Sequence, residues 1–174
     1  SQLFPFESTH LMERQHIDIT QDLEGEPVVH AVFDLREDEI AASAHAVSAA
    51  ITERFRNEEM SADDVVEFRE LTALADELGE LPGGAGTIVM RPARLGAYVH
   101  ALAMFVESRD EAEWIRDEDR EPLAIARGLL WPVEDLSAEA IQAALTGSGV
   151  GCFCTSMSAK ATSWRACFSS ASQA

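Results

Sequence analysis

The carboxylates of this chain stop at Glu139. From Gly147 to Ala174, 28 residues carry no Asp or Glu, yet they hold all three cysteines (Cys152, Cys154, Cys167), the sole lysine (Lys160), seven serines and two threonines. The residues before Gly147 carry all 31 acids and, of the 13 bases, all but Lys160 and Arg165, which leaves them at net −20. Gly147-Ser148-Gly149-Val150-Gly151 at the change of composition has linker chemistry. Beyond it there is no periodic apolar stripe and few large apolar side chains. Such a segment cannot offset the entropy lost on ordering, so a flexible tail is expected. The chain therefore divides into an acidic body, 1–146, and a Ser/Thr/Cys-rich tail, 147–174.

The body has the size of one ordinary domain and can bury a core without disulfide staples. His16 to Thr20 alternates, with Ile17 and Ile19 on one face, and Val28 to Asp34 places Val29, Ala31 and Phe33 on one face; both read as strands and together as a hairpin. Asp34 and Glu37 suggest a capping box opening a helix over 36–58, with Ile40, Ala44, Val47, Ile51 and Phe55 as its stripe. Ser61 and Asp64 open a second, with Val65, Phe68, Leu71, Leu74 and Leu78 inward and Gly79 as its stop. Thr87–Met90 reads as a third short strand, and Pro92 precedes a helix burying Tyr98, Leu102, Phe105 and Val106. Two further helices are expected. One has Pro122 in its first turn and ends at Trp131-Pro132; the other has Ser137 as its cap, with Leu136 stapled onto Ile141. The expectation is an α+β domain, mainly helical, with a two- to three-stranded sheet, about five helices and the tail.

A net charge of −18 over the whole chain repels phosphate backbones and argues against nucleic acid as a ligand. It suits a basic protein surface, so a protein partner is expected. No apolar run has the length of a membrane span, and the first residues lack the pattern of a signal peptide, so a cytoplasmic, membrane-free protein is expected.

No motif of catalysis stands out. Pro82-Gly83-Gly84-Ala85-Gly86 precedes a strand and has no following Lys, so it is neither a phosphate-binding nor a dinucleotide-binding loop. His10, His16, His30, His45 and His100 are scattered without the i, i+4 spacing of a helical zinc motif, and His45 and His100 read as core-edge residues. Cys152-Phe153-Cys154 is too tight for a zinc knuckle and would make a strained disulfide, so no metal or other cofactor is expected. An enzyme would have to assemble its site from separate groups such as His16, Asp18, His30 and His100.

The tail has the composition of a substrate. Enzymatic dehydration of Ser or Thr gives an alkene, and a Cys thiolate can add across it to close a thioether ring. The residues open to this chemistry are Ser148, Cys152, Cys154, Thr155, Ser156, Ser163 and Cys167; Ser148 and Cys152 are four apart, as are Ser163 and Cys167. Gly147-Ser148-Gly149-Val150 and Ser163-Trp164 resemble the cores of one lantibiotic group, and the tail as a whole resembles the core of a lanthipeptide precursor. The body is longer than the leaders of such precursors, and Gly83-Gly84 lies far from the body–tail junction, where a double glycine often marks the cut. The resemblance implies a non-enzymatic leader or carrier presenting a modifiable peptide to its enzyme. The alternative is an acidic helical interaction or regulatory domain with an inert tail.

Overall fold

The computed structural model describes residues 14–55 and 59–147. It has three strands, β1 (Gln15–Gln21), β2 (Pro27–Leu35) and β3 (Gly86–Met90), and four helices, α1 (Glu37–Arg54), α2 (Ala62–Glu80), α3 (Pro92–Asp110) and α4 (Asp117–Gly147). The sheet is antiparallel in the order β1-β2-β3. Asp18 stands opposite His30 and Thr20 opposite Val28, while Val32 faces His16 on one side and Val89 on the other. The β1–β2 hairpin turns where Asp22 Oδ1 accepts from the backbone N–H groups of Glu24 and Glu26 and Gly25 takes a positive φ.

The two faces of the sheet differ because side chains alternate along each strand. Val29, Ala31, Phe33 and Leu35 of β2 and Ile88 and Met90 of β3 are buried. α4 packs against β1 and β2, and α3 against β2 and β3. α1 and α3 each contact the other three helices. At the centre Phe33 meets Tyr98 edge to face at 6.3 Å, and the Tyr98 hydroxyl shares a hydrogen bond with Ser43 Oγ of α1 at 2.5 Å. Burial pushes the Tyr98 phenol above its ordinary pKa.

The expected α+β architecture, mainly helical with a three-stranded sheet, is present, with four helices rather than five. The two helices expected around Pro132 form one. Leu123, Ala126, Leu129, Val133, Leu136 and Ala140 are all buried at helical spacing, so a single apolar stripe runs through the proline. Pro132 has no N–H to donate one turn back, but the residue there, Gly128, has an unhindered backbone, and the Pro132 carbonyl accepts from Gln15 Nε2 at 3.0 Å. Leu136 and Ser137 are thus interior residues of α4, neither staple nor cap.

Two other boundaries shift. Asp34 stays in β2, opposite Thr87, so α1 is capped at Arg36, whose N–H donates to Glu39 Oε1 at 2.9 Å. α2 keeps its expected cap, with Asp64 N–H donating to Ser61 Oγ at 3.1 Å and Ser61 N–H to Asp64 Oδ2 at 3.0 Å, but it runs past Gly79 to Glu80. Only the second half of its expected stripe is buried: Leu71, Leu74 and Leu78 are inside, while Val65 and Phe68 are exposed, Phe68 resting edge to face on Phe55 at 5.3 Å.

Candidate functional site

The seven candidate residues of the tail, Ser148, Cys152, Cys154, Thr155, Ser156, Ser163 and Cys167, lie outside the described residues, as does His10. The other histidines fall into separate places. His16, Asp18 and His30 share the sheet face turned away from the buried side chains, Asp18 directly opposite His30. His100 is on α3, bonded through Nδ1 to Glu67 of α2 and, at 2.5 Å, to Arg54 of α1. The fold therefore does not bring His16, Asp18, His30 and His100 into one site. His45 and His100 are both half-buried at the edge of the core, as expected.

One of two four-residue polar clusters lies at the junction of α1, α3 and α4. Asp119 of α4 is buried, its side chain only 5% exposed. Its Oδ1 faces His45 Nε2 of α1 at 2.7 Å, and its Oδ2 accepts from Arg109 Nε of α3 at 3.1 Å. Arg109 also pairs with Glu53 of α1 at 2.7 Å. Phe105 touches both partners of Asp119, in edge contact with the His45 ring at 5.4 Å and with the Arg109 guanidinium 4.8 Å over its ring. Burial pushes the Asp119 carboxyl up, but the hydrogen bond from His45 and the charge and hydrogen bond of Arg109 outweigh it, and the group titrates below the ordinary aspartate value.

The sequence places Asp119 in an acidic first turn of α4, where the helix dipole favours a carboxylate. Its partner on α1 lies 74 positions away, and no spacing rule reaches across that separation. The pairing is legible only once α1 and α4 are packed together.

Against this junction lies a cavity of about 350 Å³. Arg109 and Asp119 close one side; Ala112, Glu113, Trp114, Ile115 and Arg116 of the loop between α3 and α4 form the other, with Ser108 at the end of α3. Trp114 is 71% exposed, whereas Ile115 packs against the core and fixes the loop. Arg116 pairs with Glu118 at 3.0 Å. The cavity combines an indole wall with carboxylates at its rim. It is a recess for a side chain or small group, and it holds no nucleophile–base pair of the kind acyl transfer needs.

Among the described residues no group of three or more His, Cys, Asp and Glu side chains could hold a metal ion, and no helix is long and apolar enough to cross a membrane. No protein-family model matches the chain, and neither does any curated protein or solved structure.

Proposed function

We propose that the body, 1–146, is a folded acidic carrier that presents the Ser/Thr/Cys-rich segment 147–174 to a modifying enzyme. The observation that carries this reading is the change of composition at Gly147, where the acid-free segment with every cysteine of the chain begins. Among the described residues, the acidic body builds a buried core between Val29 and Ala140. The body's surplus of carboxylates suits a basic docking surface, and tethering raises the local concentration of the tail at the enzyme bound there.

In this reading each modified Ser or Thr, among them Ser148, Thr155, Ser156 and Ser163, loses water to become an alkene. The thiolate of Cys152, Cys154 or Cys167 then adds to the β-carbon while a proton adds at the α-carbon, which closes a thioether. The test is co-expression with the neighbouring genes of the source genome, followed by intact mass and thiol alkylation. Loss of one water per modified hydroxyl, with thiols protected from alkylation, is the expected result. Three freely alkylated thiols on a tail of unchanged mass would favour the second reading, an interaction domain with an inert tail, to which the exposed Trp114 and Trp131 are equally suited.

A further inference from the structure

We propose that the groove beside Trp114 is a docking site for an arginine or lysine side chain of a basic partner protein. The proposal deepens the docking role given to the body above and rests on that role. The site is built from three observations.

The first is shape. A cavity of about 350 Å³ has room for one long side chain and opens along the loop between α3 and α4. Its wall is rigid where it matters: Ile115 is anchored in the core, and Asp119 and Arg109 beneath it are locked to α1 through His45 and Glu53. A preformed recess spares the partner the entropy of ordering it.

The second is the exposed indole. A tryptophan left 71% accessible at the lip of a recess forgoes most of its own burial, and exposed tryptophans of this kind are the residues that anchor protein interfaces. Its π-face attracts a cation, the guanidinium of arginine best of all.

The third is charge. From Asp110 to Glu121 the chain has seven carboxylates against two guanidinium groups. Both arginines, Arg116 and Arg120, are held in pairs with Glu118 and Asp117, and Arg109 at the floor is shared between Glu53 and Asp119. Glu111, Glu113 and Glu121 form no ion pair among the described residues. Of these Glu113 lines the groove, beside Arg116, whose charge Glu118 offsets, while Glu111 and Glu121 flank it in sequence. The groove therefore presents a neutralised floor with Glu113 as the unpaired charge at its lip, placed to meet a guanidinium or ammonium that stacks on the indole face.

The test uses the full chain and follows its tryptophan indole N–H signals by NMR, assigned with Trp114→Phe, Trp131→Phe and Trp164→Phe. The probe is a short acetylated peptide carrying two arginines, with the same peptide carrying two glutamates as its opposite. The arginine peptide is expected to shift the Trp114 signal saturably and leave Trp131 in place. Trp114→Ala should weaken binding roughly tenfold, and Glu113→Gln roughly threefold. Raising ionic strength from about 0.05 to about 0.5 M should weaken it further, because rim charges are screened. An amide spectrum like that of the parent chain should show that Trp114→Ala, a change at an exposed position, remains folded. Equal shifts by the glutamate peptide, equal shifts at Trp131, or no shift at Trp114 would each overturn the proposal. The carrier reading fails separately: a tail that Trp114→Ala leaves fully modified on co-expression would sink this docking site and leave the carrier standing.

Discussion

Two polar clusters tie α1 to its neighbours, and they use nearly the same residues to different effect. One, facing α3 and α4, centres on Asp119, which is shared by His45 and Arg109, with Glu53 completing the set. The other, facing α2 and α3, has Arg54 between Asp64 and Glu67, with His100 joined to Glu67; Glu53 and Arg54 are neighbours in the last turn of α1. In the first the shared carboxylate, Asp119, is 5% exposed and Arg109 13%, with His45 and Glu53 at the edge at 34% and 37%; in the second the shared Glu67 is 17% exposed and Arg54 25%, with Asp64 at 31%. The Asp119–Arg109 pair is the more deeply buried centre, where losing one partner costs most. The second cluster is more evenly solvated, where ion pairs gain less over hydration. The buried cluster is also the one that supports a recess, which is why the candidate site lies at the α3–α4 loop and not at the start of α2.

The largest effect that should separate them is Asp119→Asn. It leaves Arg109 in a buried setting with one carboxylate fewer and offers a single amide oxygen where two carboxylate oxygens met His45 and Arg109, and should lower stability by about 2–3 kcal/mol in urea unfolding. If the loss is no greater than that of a surface pair, the two clusters are equivalent and the comparison fails.

The acid limb of stability gives the second contrast. Asp119 is held below the ordinary carboxylate range for the reasons given above. Glu39 is also lowered: burial pushes it up, but hydrogen bonds from Arg14 and the Arg36 backbone, with the charges of both arginines, outweigh it. Each binds its proton more weakly in the folded chain than in the unfolded one. Their contribution is therefore complete above the unfolded values near about pH 4 and is lost as pH falls through the folded values. Urea midpoints across a pH series should fall on acidification, and Asp119→Asn should flatten that fall. An unchanged slope in the variant would mean that Asp119 gains nothing from its partners.

Glu67→Gln is the counterpart in the half-solvated cluster. A loss of about 1 kcal/mol or less is expected, and much of it should disappear in high salt. The smallest effect belongs to Trp114→Ala, which should change stability by less than about 0.5 kcal/mol because the side chain is exposed. A larger loss would show that Trp114 supports the loop and is not a free surface for a partner.

How much of this was legible in the sequence follows from the range of each interaction. The sheet, α1, α2 and α3 are set by periodicity and turns within a few residues, and their positions match the expectation closely. Asp34 and Glu37 failed as a capping box because strand pairing with Thr87, far along the chain, holds Asp34 in β2. The outward turn of Val65 and Phe68 was hidden because the stripe of α2 is continuous in sequence, whereas its neighbours cover only the second half. Pro132 carries a strong local stop signal, and the continuous stripe of α4 overrides it through tertiary packing. The site was the least legible part. Trp114 lies in a charged stretch of the sequence, Arg109 to Glu121, and nothing local connects it to His45 or Glu53. The division of the chain at Gly147, by contrast, is a matter of composition alone, and the tail beyond it lies outside the described residues.

The central claim, that the body directs chemistry on the tail, is tested most directly by comparing two chains under the same co-expression. One is the full sequence; the other is residues 147–174 on an unrelated carrier. Intact mass with thiol alkylation is read for both. Water losses and protected thiols on the full chain, with none on the tail alone, are the predicted result. An unmodified full chain, or equal modification of the tail without its body, would contradict it.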